Sequence, residues 1–142
     1  MKVKDVMTKQ VVSLKPNDTV KDAAMLMKKH NIGSVPVCDN GKIIGIITDR
    51  DIVLRVGADG SNIDNTSVRD VMSSNPVIGN PEMDIKDAAR VMSERQIRRL
   101  PIMQEGSVIG MVSLGDIAVE DNSKMSAEEA LKDISEPCNP QL

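Results

Sequence analysis

The sequence predicts an α+β module made of two copies of one strand–helix–strand–strand–helix unit followed by a short C-terminal helix, and three observations carry that reading. The first is an internal repeat. Val3-Lys4-Asp5-Val6-Met7-Thr8 returns as Val68-Arg69-Asp70-Val71-Met72-Ser73, and the offset of 65 residues then holds without a gap through Asp51-Ile52 and Asp116-Ile117. Identities fall where backbone chemistry leaves few choices: Pro16/Pro81, Pro36/Pro101, Gly41/Gly106 and Ile44-Gly45/Ile109-Gly110. The second observation is that both copies alternate short apolar runs with stretches of helical period. The third is length: 142 residues fill one ordinary domain, whereas a unit of about 50 residues buries its own sheet and helices poorly. The copies are therefore expected to pack face to face as one pseudo-twofold body.

Taken in order, Val11-Val12-Ser13-Leu14 is an apolar run ended by Pro16 and reads as a strand, with Val77-Ile78 as its counterpart. Val20, Ala23, Ala24 and Met27 stand at i, i+3, i+4 and i+7, as do Ile85, Ala88, Ala89 and Met92, so each copy has an amphipathic helix. Thr19-x-x-Asp22 and Asp84-x-x-Asp87 supply the N-terminal capping groups. Ser34-Val35-Pro36-Val37 and Ile43-Ile44-Gly45-Ile46-Ile47 flank Asp39-Asn40-Gly41-Lys42, a hairpin signal, and the second copy repeats it around Glu105-Gly106. A second helix is expected to begin at Thr48 and at Ser113. The predicted partition is 1–56 for the first copy, 57–67 for a polar, Gly-bearing linker, 68–120 for the second copy and 121–142 for a tail. In the tail, Ser126-Ala127-Glu128-Glu129 is a capping box opening a helix to about Ile134, with Pro137 and Pro140 beyond it.

Composition removes several functions. Phe, Tyr and Trp are absent and the net charge is −3, so the aromatic platforms and basic groove of a nucleic-acid binder are missing. One histidine, His30, and two cysteines, Cys38 and Cys138, make no zinc-spaced cluster, no metal site and no disulfide framework. No apolar run reaches membrane-spanning length and no signal-peptide core follows Met1, so no membrane partner is expected and the location reads as cytoplasmic. No nucleophile is matched to a base, and an enzyme is not expected. His30 reads as a polar group in the last turn of a helix, and Lys28-Lys29-His30 is too short for a nucleic-acid patch. Cys38 reads as a small hydrophobe at a strand end and Cys138 as an exposed thiol; Met7, Met27, Met72 and Met92 read as core filler at matched repeat positions.

The Asp-Val-Met-Thr opening, the Asp-Ala-Ala helix, the Ile-x-x-x-Pro-Val strand and the Gly-Ile-Ile-Thr-x-x-Asp-Ile ending resemble a CBS (cystathionine beta-synthase) domain, present twice over residues 1 to about 120. The resemblance implies a stand-alone CBS pair: a regulatory module whose two clefts bind adenosine compounds such as AMP, ADP, ATP or S-adenosylmethionine. It further implies a homodimer, with a regulated partner protein that the residues do not identify. No cofactor is expected.

Thr48 with Asp51, and Ser113 with Asp116, put a hydroxyl and then a carboxylate three residues later where a strand gives way to a helix. That carboxylate suits a ribose diol, and the hydroxyl and free helix N–H groups suit a phosphate. The same spacing is also a plain capping box that closes the helix end with no ligand; the resemblance favours the ribose for Asp51 and Asp116. It also implies that the segment before Pro36 or Pro101 reads the base in one cleft and reaches phosphate in the other. The cleft of Ser113, Gly115 and Asp116 would then take Arg98 and Arg99 toward phosphate, with Val12, Ile32, Gly33 and Ser34 around the base. The cleft of Thr48 and Asp51 would have Val77 and Ile97 around the base, Gly33 and Ser34 toward phosphate, and Arg50 as partial compensation for the missing arginine pair. Adjacent arginines on an exposed loop are most often just solvated charge, and that reading stays open for Arg98 and Arg99. The expected function is an adenine-nucleotide sensor, the alternative a ligand-independent dimerisation or scaffold module in which both carboxylates only cap helices.

Overall fold

The computed structural model describes residues 1–120 and 124–135. The elements, in chain order, are α1 (Val20–His30), β1 (Ser34–Asp39), β2 (Lys42–Thr48), α2 (Asp49–Asp51, continued by a π-helical turn Ile52–Gly57), β3 (Ser73–Ser74), α3 (Ile85–Arg95), β4 (Arg99–Gln104), β5 (Ser107–Ser113), α4 (Leu114–Ala118) and α5 (Lys124–Ser135). Short 3-10 turns at Val3–Asp5 and Val68–Asp70 open the two copies. This is the mixed α+β architecture the repeat predicts. Among the described residues no helix is long and apolar enough to cross a membrane.

The chain divides into two compact units, and each draws its opening segment from the other copy's sequence. One unit holds Met1–Gln10 with Val77–Gln104 and the chain from Ile109; the other holds Val11–Pro76 with Glu105–Val108. In the first, Val3 N–H donates to Met83 O (2.9 Å), Ile85 N–H donates to Met1 O (3.1 Å), and Thr8 and Met111 exchange two backbone bonds of 2.9 Å. In the second, Val68 N–H donates to Asp18 O (2.8 Å) and Val20 N–H to Thr66 O (2.9 Å), while β3 pairs with β2 through Gly45↔Ser74 and Ile46↔Ser73. These segments take up helix N–H groups that no helix can satisfy internally.

Each unit has its own core. In the first, Val3, Ile85, Ala88, Ala89, Met92, Leu100, Ile102, Val112 and Ile117 are buried, joined by Ala127 and Ala130 of α5. In the second, Leu14, Val20, Ala23, Met27, Val35, Val37, Ile47, Val56, Val68 and Val71 form the core. The predicted helical stripes thus face inward, with Ala24 at the edge, half-buried. β1 and β2 are antiparallel with Asn40 and Gly41 at φ 51° and 83°, the left-handed pair that a two-residue hairpin turn requires; Glu105 and Gly106 repeat it at 51° and 82°.

The strand expected at Val11–Leu14, and its counterpart at Val77-Ile78, shrinks to one bridging residue per copy. Leu14 N–H donates to Pro36 O (3.0 Å) and Leu14 O accepts from Cys38 N–H (2.8 Å); Gly79 does the same with Pro101 O (2.8 Å) and Met103 N–H (2.9 Å). Extending this parallel ladder backward needs an N–H from Pro36 or Pro101, and extending it forward needs one from Pro16 or Pro81. Proline has none, so each ladder is cut on both sides.

Capping holds for α1, where Thr19 Oγ1 accepts from Asp22 N–H (3.1 Å) and Asp22 Oδ2 accepts from Thr19 N–H (3.0 Å). At α3 the box is incomplete. Asp84 Oδ1 caps by accepting from Lys86 N–H (2.8 Å), but Asp87 turns to Arg90 on the next turn. α5 begins at Lys124, two residues before the Ser126 expected to open it, and Ala127 and Ala130 are buried on its inner side. Pro137, Cys138 and Pro140 lie outside the described residues. Cys38 is half-buried, and burial raises its thiol pKa, as a packed and unreactive cysteine requires.

Candidate functional site

In the unit of the second copy, β5 ends at Ser113 and the chain turns directly into α4. Ser113 is extended (φ −108°, ψ 161°), its Oγ accepts from Asp116 N–H (3.1 Å), and Asp116 Oδ2 accepts from Ser113 N–H (2.9 Å). Leu114 N–H donates to Arg98 O (2.9 Å), which fixes Arg98 and the start of β4 at Arg99 against the start of α4. Arg98, Arg99, Ser113, Leu114 and Gly115 line a cavity of about 420 Å³, with Ala118 of α4 and Ala127, Glu128 and Leu131 of α5 as its other walls. That size falls within the range of small-molecule sites. The side chains of Arg98 and Arg99 have no ion-pair or hydrogen-bond partner among the described residues, and neither has Asp116 Oδ1. Two arginines without partners thus line a concave surface, and Asp116, with one carboxylate oxygen unengaged, follows directly on its Ser113–Gly115 wall. Val77 and Ile97 are partly buried against this unit's core.

The unit of the first copy builds the same backbone and fills it differently. Thr48 Oγ1 accepts from Asp51 N–H (3.0 Å) and Asp51 Oδ2 accepts from Thr48 N–H (2.9 Å), and Asp49 N–H donates to Gly33 O (2.9 Å). Here the second carboxylate oxygen is engaged: Asp51 Oδ1 faces Arg55 Nε at 3.8 Å, with Asp51 only 13% exposed. Arg55 is held in place by donating to Val71 O (2.8 Å) and Met72 O (3.3 Å). The residue matching Arg55 in the second copy is Glu120, which leaves Asp116 without a cation.

The first copy also differs where a phosphate would sit. Gly33 and Ser34 replace the arginine pair, and Asp49 replaces Leu114, its carboxylate so close to Gly33 that a Cβ there would lie 3.0 Å from Asp49 Oδ2. Ser34 Oγ is buried with no partner among the described residues. Arg50 lines an open depression of about 460 Å³ with Asp49, Val53 and Leu54. Ile32 is partly buried against this unit's core, and Val12 is half-buried just before the Leu14 bridge.

Arg55, Leu114, Ala118, Ala127, Glu128 and Leu131 were not legible as site residues. Asp51 and Arg55 stand at i, i+4, acid before base, a spacing that signals a helical ion pair. Leu114 and Ala118 of α4 carry no such signal, being ordinary apolar residues, and neither do Ala127, Glu128 and Leu131, because α5 belongs to neither copy of the repeat. Among the described residues no cluster of His, Cys, Asp and Glu has the makings of a metal site.

The pattern of the CBS domain family matches residues 3–57 and 68–123. Over 133 residues the chain is 49% identical to a CBS domain-containing protein, YhcV, of Bacillus subtilis, covering 94% of each chain. Among solved structures it superposes on Hypoxic Response Protein I, crystallised with two coordinated zinc ions, with a TM-score of 0.78 and 30% identity over 84% of this chain and 98% of that one. It also superposes on the CBS domain pair of protein MJ0100 in complex with 5′-methylthioadenosine and S-adenosylmethionine, with a TM-score of 0.77 and 27% identity over 87% and 98%. Two tandem matches in register with the internal repeat, and a near full-length relative of the same description, place this chain in the CBS domain family.

Proposed function

We propose that this protein is a non-catalytic regulatory module that binds an adenosine ligand at the Asp116 site and answers by a change of conformation or of partner affinity. Asp116 would accept from the ribose hydroxyls through Oδ1, and Arg98 and Arg99 would hold the anionic end of the ligand. The observation that carries this reading is that two arginines without partners line a cavity of about 420 Å³ whose Ser113–Gly115 wall runs directly into Asp116, a residue with one carboxylate oxygen unengaged. Guanidinium binds phosphate and carboxylate by charge-assisted, bidentate hydrogen bonds, the strongest such contacts available to a side chain. The adenosine ligands of the MJ0100 pair support the ligand class.

A second reading, a ligand-independent dimerisation module, is favoured by one observation: both capping boxes close without a ligand. Thermal unfolding followed by far-ultraviolet circular dichroism separates the two, the chain having no aromatic fluorophore. A ligand at 100 times its Kd stabilises the folded state by about 2.7 kcal/mol, a clear rise in Tm. No rise with AMP, ATP or S-adenosylmethionine at millimolar concentration would overturn the sensor and leave the scaffold.

A further inference from the structure

The cavity at the start of α4 has a wall that the repeat does not supply. α5 packs on α3 and α4, burying Ala127 and Ala130, and this seating brings Ala127, Glu128 and Leu131 to the cavity that Arg98 and Arg99 line. Gln96 Nε2 donates to Asp133 O (3.3 Å) at the far end of the helix, holding it against α3. The lining therefore carries opposite charges, two arginines at the start of β4 and one carboxylate on α5. Glu128 has no ion-pair or hydrogen-bond partner among the described residues, so neither arginine neutralises it. Leu114, Ala118, Ala127 and Leu131 give the rest of the lining a largely apolar character, with the Ser113 hydroxyl as its one other polar side chain.

From this arrangement we infer that Glu128 is a specificity-determining residue that selects adenosine ligands whose tail carries a cation as well as an anion, as an α-amino acid tail does. This inference rests on the Asp116 reading and names the ligand class for it. A carboxylate on the tail takes the arginine pair, and an ammonium or sulfonium nearby meets Glu128, so each charge of the cavity finds its complement. A nucleotide phosphate takes the same arginines but is repelled by Glu128, and a single like charge at the rim is enough to bias the choice. The apolar residues of the lining suit the methylene groups that link such a tail to the ribose.

The test is calorimetric titration of the full chain and of Glu128→Gln with S-adenosylmethionine, AMP and 5′-methylthioadenosine. Glutamine keeps the side chain's shape and its helix propensity and removes only the charge. A partly exposed charge pair is worth up to a factor of about five in affinity. The variant should therefore weaken S-adenosylmethionine about fivefold, tighten AMP, and lower the ratio of the two affinities about tenfold. 5′-Methylthioadenosine, which has no charged tail, should bind both proteins alike. An unchanged ratio overturns the role of Glu128 while leaving the Asp116 site intact. Equal shifts for all three ligands show that Glu128 acts on the fold and overturn it too. No binding of any adenosine compound by the unaltered protein overturns both the inference and the reading beneath it.

Discussion

Replacing Asp116 and Asp51 by alanine, one at a time, separates helix capping from ligand binding, because the two carboxylates cap alike and differ in what else they hold. Each accepts one backbone bond of 2.9 Å, from Ser113 or from Thr48, so each alanine loses the same half of a capping box. That loss costs about 0.5–1 kcal/mol. Asp51→Ala also gives up the 3.8 Å ion pair with the half-exposed Arg55, which adds at most about 1 kcal/mol. The stability cost should therefore be equal at the two sites or larger at Asp51, read as the urea midpoint by circular dichroism. The affinity cost should run the other way. Hydrogen bonds from a ribose to a carboxylate are worth about 1.5–3 kcal/mol each, so losing one at Asp116 weakens AMP at least about tenfold. Asp51 has its second oxygen already engaged and no arginine pair beside it, so its alanine should change AMP affinity much less. Equal affinity losses at the two positions, or AMP binding abolished by Asp51→Ala and untouched by Asp116→Ala, would return Arg98 and Arg99 to solvated surface.

Three further outcomes follow from the packing and the charges. A Cβ on Gly45 would lie 2.5 Å from Met72 Sδ and 2.8 Å from Ser73 O, and one on Gly110 2.4 Å from Met7 Sδ and 3.1 Å from Thr8 O; either Gly→Ala should cost about 1–3 kcal/mol in chemical denaturation, Gly45→Ala the more because a backbone carbonyl yields less than a methionine. Lys2 and Lys4 donate to Glu82 at 2.6 and 2.9 Å and lower its carboxyl to about 2 from 4.5. A depressed folded pKa gives stability that is present above the unfolded value and lost as pH falls from about 4.5 toward 2, so Glu82→Gln should flatten the acid limb of an unfolding-against-pH curve in that window, in low salt most clearly. Sedimentation at micromolar concentration should show a homodimer; Val53, Leu54 and Val119 are large apolar side chains left more than half exposed, at 65%, 52% and 77%, and a monomer would leave them in water.

The repeat made most of the fold legible, because a helix with Ile85, Ala88, Ala89 and Met92 on one face and a hairpin closed by Asn40-Gly41 are decided by local chemistry. Thr48, Asp51, Ser113 and Asp116 were legible for the same reason: a strand ending in hydroxyl-x-x-carboxylate has one way to open a helix. What failed depended on partners distant in sequence. Val11–Leu14 has strand composition, but its ladder is cut by Pro36 on the neighbouring strand as much as by its own Pro16. Asp87 has the position for a capping box and Arg90 takes it instead. Glu128 reads as an ordinary exposed glutamate, and only the seating of α5 through Ala127 and Ala130 brings it to the arginines.

Isothermal titration of the intact protein with AMP, ATP, S-adenosylmethionine and GMP, repeated on Asp116→Ala and Arg99→Ala, bears most directly on the Asp116 site. Saturable binding of at least one adenosine compound, tighter than GMP and clearly weakened by either substitution, is the predicted result. No heat of binding from any adenosine compound at millimolar concentration, or binding that both substitutions leave unchanged, would contradict it.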